Sequence, residues 1–202
     1  GGKIVTARKG VAFFTVTAHG LPAHAGVEHH LGRSAIREIS HQILALEAMT
    51  DYARELTVNV GLVRGGTRSN VVPESATVEV DVRMPSPAIG EEIVQRIRAL
   101  KPIDPDVSLI IEGGINRPGY EKTPDIAALY EHARTLATEI GFDLIDLKTG
   151  GGSDGNFTAS YAPTLDGMGV DGDGAHTHEE RLYISSVLPR TRLLMRLMET
   201  LQ

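Results

Sequence analysis

The sequence predicts an α/β chain of the α+β kind, made of a ferredoxin-like β-α-β-β-α-β domain followed by a partial, layered α/β region. Two observations predict the first part. Stretches that alternate apolar and polar residues, the period of a half-buried strand, are interleaved with two stretches whose apolar residues recur every three or four positions, the period of an amphipathic helix. A third observation predicts the second part: past Gly113-Gly114 and Arg117-Pro118 the pattern changes to a long helix, a strand and a glycine-rich turn.

The elements follow in order. Lys3 to Ala7 adds a possible opening strand, and Val11 to His19 mixes β-branched and aromatic residues with partial alternation, which predicts a strand. After a loop, Gly20 to Arg33, Ser34 is expected to cap a helix ending near Met49, with Ile36, Ile39, Ile43 and Leu46 on its apolar face. Leu56 to Leu62 and Ala76 to Val82 alternate and predict two strands joined by the polar segment Arg64 to Glu74. A helix over Ala88 to Leu100 puts Ile89, Ile93 and Ile97 on one face, and Val107 to Ile111 reads as a short strand. Two helices should then cover one face of a four-stranded sheet, leaving exposed edges that need charge or a second copy.

Beyond that domain, Thr123-Pro124-Asp125 starts a helix that runs to Ile140, where Gly141 caps it. Phe142 to Leu147 reads as a strand, Gly150-Gly151-Gly152-Ser153-Asp154-Gly155 as a turn into a short helix, Pro163 to Val170 as another strand, and Ser185 to Leu201 as a last helix. So few elements cannot cover both faces of an α/β sheet.

Composition narrows the function. A net charge of -6, with no dense Lys/Arg patch, argues against nucleic-acid partners. No apolar run approaches the roughly 20 residues that span a bilayer, so no membrane partner is expected. Without cysteine, any metal must be held by His, Asp, Glu or water, and the compartment stays open.

Several loops carry candidate chemistry. In Gly172-Asp173-Gly174-Ala175-His176-Thr177-His178-Glu179-Glu180, two histidines and two glutamates crowd one loop, yet sequence neighbours seldom form a whole site. The alternative is that His176 alone turns inward while His178, Glu179 and Glu180 face solvent. The glycine run Gly150 to Gly155 can present backbone amides to an anion or simply make a tight turn. His24, framed by Ala23, Ala25 and Gly26, is sterically open for a ligand or serves structure. Asn70, in Ser69-Asn70-Val71-Val72-Pro73, is by default a turn residue. Arg117 can grip a carboxylate bidentately or pair on the surface. Glu91-Glu92 lies in the first turns of a helix, where acidic residues complement the dipole, and reads as surface.

The order of these motifs carries more than any one of them. Pro22-Ala23-His24-Ala25-Gly26, Ser69-Asn70-Val71-Val72-Pro73, Asp81-Val82-Arg83, Arg117-Pro118, Gly151-Gly152-Ser153-Asp154 and Gly174-Ala175-His176-Thr177 with Glu180 together resemble the dinuclear-zinc peptidases of the M20 family, nearest the glutamate carboxypeptidase type. The resemblance spans essentially the whole chain.

It implies that residues 8–115 are a ferredoxin-like dimerisation (lid) domain inserted into a catalytic domain, of which 1–7 and 116–202 are the C-terminal portion. It implies a homodimer, two zinc ions in the complete enzyme, and a peptide or N-acyl amino acid substrate cleaved beside its free carboxylate by metal-bound hydroxide. His24 would stabilise the oxyanion in the partner's site, and Asn70 would also reach the substrate across the dimer. Arg117 would bind the carboxylate with the Gly151-Gly152 backbone beside it, and His176 would hold the second zinc. The family's His-x-Asp motif has no counterpart in the sequence. The expectation is therefore a chain that lacks the first part of the catalytic domain, binds zinc weakly at most, and is inactive alone. The alternative is a non-catalytic dimerisation or binding module derived from such an enzyme.

Overall fold

The computed structural model describes residues 2–201. In chain order the elements are β1 (Gly2–Arg8), β2 (Gly10–His19), α1 (Ala35–Glu47), β3 (Thr57–Gly65), β4 (Ser75–Met84), α2 (Pro87–Arg98), β5 (Ser108–Arg117), α3 (Pro124–Ile140), β6 (Leu144–Thr149), α4 (Gly155–Thr158), β7 (Gly172–Asp173), β8 (Arg181–Leu182) and α5 (Ile184–Thr200). They divide into two compact units: Gly10–Gly119, and the chain before it joined with the chain after it. No helix among the described residues is long and apolar enough to cross a membrane.

In the Gly10–Gly119 unit the strands form one antiparallel sheet in the order β3-β4-β2-β5, the split β-α-β order of the ferredoxin-like fold. Alternation decides which face is covered. Ala76, Val78, Val80, Val82 and Met84 of β4 and Ala12, Phe14, Val16 and Ala18 of β2 are buried against Ile39 and Leu46 of α1 and Ile93 and Ile97 of α2. The Ser34 hydroxyl accepts the Arg37 amide and caps α1 as expected. Ile36, expected on the buried face, is 44% exposed, and Leu44 is 71% exposed. Glu92 pairs with Arg54 on the surface at 2.6 Å, in keeping with its reading as a surface residue.

Strand β5 is longer than its apolar stretch suggested. It continues through Gly113 and Gly114 to Arg117, because Gly113 sits at φ +118° where a Cβ would lie 2.1 Å from the Phe13 carbonyl oxygen. The glycines there permit close strand pairing and do not end the strand. The turn leading into β5 is held by Glu38, which is buried and accepts the amides of Ile103 (3.0 Å) and Asp104 (3.1 Å) and the Gln42 side-chain amide (2.7 Å).

In the other unit β1 and β6 pair in parallel, and Ile4 and Leu144 are buried with Tyr130, Ala133, Leu136 and Ala137 of α3 and Leu193 and Leu197 of α5. Thr123 caps α3 by accepting the Ile126 amide, and Gly141 ends it at φ +104°. The segment Pro163 to Val170 is not a strand: only Asp166 bridges to Val5. Pro163 lacks an amide donor and Gly167 turns the chain at φ +67°, so no ladder can extend either way. A two-residue hairpin of β7 and β8, absent from the sequence reading, brackets the His176 loop.

Candidate substrate-binding site

Within the Gly10–Gly119 unit, two loops distant in sequence are brought together. The Ala25 amide donates to the Asn70 carbonyl (3.0 Å), the Val72 amide to the Ala23 carbonyl (2.9 Å), and His24 bridges to Val71. His24 and Asn70 thus sit on one rim, both exposed. The Gly26 amide donates to His24 Nδ1 at 3.1 Å. A nitrogen that accepts cannot carry the proton of the neutral ring, so the proton resides on Nε2. The ring then offers an outward donor, the polarity an oxyanion requires.

Arg117 closes β5, half-buried, and donates to Asn116 Oδ1 at 2.7 Å. Asp81 and Arg83, two positions apart and so on the same face of β4, form a two-point ion pair with each other.

In the other unit, the glycine run leads from β6 into α4. This helix has a single turn, so no macrodipole of consequence gathers at its start, and the helix-start argument from sequence does not apply. The individual amides matter instead. Gly151 donates to Thr149 Oγ1 (3.4 Å), Ser153 to Asn156 Oδ1 (2.8 Å) and Gly155 to Ser153 Oγ (3.0 Å). Gly152 is exposed, and its amide has no partner among the described residues.

Beneath the loop is a network that the sequence reading missed. Arg8 Nε donates to Asp166 Oδ2 at 2.6 Å, Arg8 Nη1 donates to the Gly151 carbonyl at 2.8 Å, and the Ser153 hydroxyl donates to Asp166 Oδ2. Asp166 also accepts the Gly167 amide. Burial would raise its pKa, but the Ser153 hydroxyl, the Gly167 amide and the Arg8 guanidinium outweigh that and hold it below the ordinary aspartate value. The buried Tyr120 hydroxyl lies beside this pair, and burial raises its pKa.

The hairpin tip carries His176 at φ +65°, one of two non-glycine residues with positive φ among those described. The Thr177 hydroxyl donates to the Gly174 carbonyl and accepts the Glu179 amide, while Glu180 Oε2 accepts the His176 amide at 3.3 Å. His176 is exposed together with His178, Glu179 and Glu180, so the expected inward turn of His176 is not found. No group of three or more His, Cys, Asp or Glu side chains among the described residues is arranged to hold a metal ion. A catalytic zinc takes about three protein ligands. The donors among the described residues do not by themselves fit one.

A ferredoxin-like sheet carrying these loops, followed by a β-strand, a glycine turn and a hairpin, can be compared with the M20 peptidases that the sequence motifs resemble. Residues 6–101 match the peptidase dimerisation domain of that family. The chain is 30% identical over 199 residues to carboxypeptidase G2 of Pseudomonas sp. (strain RS-16), covering 96% of this chain and 47% of that one. Among solved structures, aminopeptidase PepT of Bacillus cereus superposes with a TM-score of 0.79 at 25% identity, over 98% of this chain and 53% of the other. A tripeptidase of Staphylococcus aureus, at 23% identity and a TM-score of 0.76, shares the fold. Residues 6–101 are thus an M20 peptidase dimerisation domain. The chain spans about half the length of these relatives.

Proposed function

We propose that this chain is the substrate-side part of an M20 carboxypeptidase or amidohydrolase that cleaves an amide bond beside a free carboxylate. The observation that carries the reading is the meeting of His24 and Asn70 on one rim, with the Gly26 amide fixing the His24 proton on Nε2. Similarity to carboxypeptidase G2 over 96% of this chain supports the same reading, and the resemblance of the motifs to the glutamate carboxypeptidase type makes C-terminal glutamate the candidate released residue.

Each residue has a part suited to its chemistry. His24 Nε2–H donates to the scissile carbonyl oxygen as it becomes an oxyanion, an interaction that strengthens in the transition state and so raises the rate. Asn70 orients the substrate through its side-chain amide. Arg117 supplies a planar two-point donor for the substrate carboxylate, and the Gly152 amide, with the Gly151 backbone beside it, supplies a neutral donor for the same kind of group. His176 would serve as a zinc ligand contributed by this chain, with the remaining ligands supplied from outside it. Residues 8–115 act as the dimerisation domain, with 1–7 and 116–202 in the catalytic domain.

A homodimer is part of the reading, because His24 and Asn70 act on the partner's substrate. The surface that suits it is the open edge of β3, which pairs only with β4 and exposes Leu62 and Val63, together with Ile36 and Leu44 of α1. Ile36 lies at the Gly65 end of that strand.

The test is hydrolysis of N-acyl amino acids by residues 1–202 alone and by a protein that joins them to the remaining catalytic portion. Metal-dependent hydrolysis by the second and none by the first is expected. Hydrolysis by residues 1–202 alone, or inactivity of the longer protein on every such substrate, would overturn the reading.

A further inference from the structure

We infer that Asp166, aligned by Arg8, is a positioning residue that fixes the Gly151–Gly155 backbone so that the Gly152 amide is presented to a carboxylate. The inference rests on the reading of this loop as carboxylate-binding.

The geometry of one peptide unit links the network to the amide. Arg8 Nη1 holds the Gly151 carbonyl at 2.8 Å. In a planar trans peptide the carbonyl of one residue and the N–H of the next point in opposite directions. Drawing the Gly151 oxygen toward Arg8 therefore turns the Gly152 N–H away from Arg8, and Gly152 is exposed. The same Arg8 is held in place by Asp166, and the side chains of this pair are only 13% and 22% exposed.

The rest of the loop is pinned from the same carboxylate. Asp166 Oδ2 accepts the Ser153 hydroxyl, which commits that hydroxyl's proton and leaves Ser153 Oγ to accept the Gly155 amide. Gly155 is required at this point because a Cβ would lie 2.4 Å from Asp166 Oδ2. Asn156, fully buried, receives the Ser153 amide and donates to the Lys9 carbonyl, which ties the far end of the loop down. The amides of Gly151, Ser153 and Gly155 are thus used internally, and the Gly152 amide is left over. Arg8 has a second effect. It balances the Asp166 charge, without which a ligand carboxylate at the loop would meet a like charge.

The test uses isotopically labelled residues 1–202, with hippurate as the carboxylate probe and hippuramide, which lacks the charge, as the control. Both are titrated while the Gly152 amide resonance is followed. Hippurate is expected to shift that resonance and hippuramide is not. In Asp166→Asn, and separately in Arg8→Lys, which keeps the charge but cannot hold Asp166 and Gly151 together, hippurate should bind about tenfold more weakly, the loss of one charge-assisted hydrogen bond. Comparison is made at a temperature where the spectrum outside the loop matches wild type, and Arg8→Lys carries the test if Asp166→Asn does not fold. If hippurate leaves the wild-type Gly152 resonance unmoved, the carboxylate reading of the loop fails. If hippurate binds wild type and both variants equally, the positioning role fails while the carboxylate reading survives.

Discussion

His176 offers a substitution in which stability and function should move in opposite directions. Its backbone sits at φ +65° on an exposed hairpin tip, and its side chain is exposed. An L-residue in the left-handed region carries a steric cost of about 1–2 kcal/mol that glycine does not. Glycine in turn costs about 0.5–1 kcal/mol in extra unfolded-state entropy. His176→Gly should therefore be neutral or stabilising, by up to about 1.5 kcal/mol, because the exposed imidazole makes no hydrogen bond or ion pair among the described residues. In a chain of this size that is a rise in Tm of at most about 6 °C. Activity of the longer protein, by contrast, should fall to background, since the variant removes a proposed zinc ligand. Thermal unfolding of residues 1–202 reads the first effect and metal-dependent hydrolysis the second. A destabilisation greater than about 1 kcal/mol would refute the reasoning, because it would mean that the imidazole serves structure.

The other expectations concern the fold that carries the site. Glu38→Ala should cost about 3 kcal/mol, since it leaves the Ile103 and Asp104 amides without their acceptor at the turn into β5; urea unfolding measures it. Burial would raise the Glu38 pKa, but the Gln42 amide and the Ile103 and Asp104 amides overcome it and hold the pKa below the ordinary glutamate value. Asp166 is likewise depressed. The stability these two carboxylates contribute is then present above their ordinary pKa values, about 4, and is lost as pH falls through the lower folded-state values. Unfolding free energy followed from neutral to acid pH should drop in that window, and less steeply in Asp166→Asn. Val63→Lys, at the open edge of β3, should shift the protein toward monomer in sedimentation without unfolding it, because Val63 is 62% exposed in the single chain.

Much of the fold was legible because alternation and helical spacing are local signals. The order β2-α1-β3-β4-α2-β5 follows from Phe14 and Val16, from Val78, Val80 and Val82, and from Ile39, Ile93 and Ile97, each in register with its own element. Where a residue acts through a distant partner, local pattern fails. Gly113 and Gly114 look like a break until the Phe13 carbonyl is placed against them. Leu165, Met168 and Val170 look like a strand until Gly167 and the Asp166 side chain are placed. The same limit applies to the site. His24, Asn70, Gly151, Gly152 and His176 stand in recognisable short motifs, whereas Arg8 and Asp166 are separated by 158 positions and have no motif of their own. Nothing in the residues around Gly26 announces that its amide sets the His24 tautomer; only the folded loop does.

The proposed role of this chain is to supply groups that recognise a carboxylate beside the scissile amide. The most direct measurement compares kcat/KM of the longer protein for an N-acyl glutamate and for the same compound with its α-carboxylate converted to an amide. Arg117 and the Gly152 amide, each proposed as a donor to a substrate carboxylate, predict at least about a hundredfold preference for the free carboxylate, because the amide leaves such donors poorly matched. Equal rates on the two compounds would contradict the account.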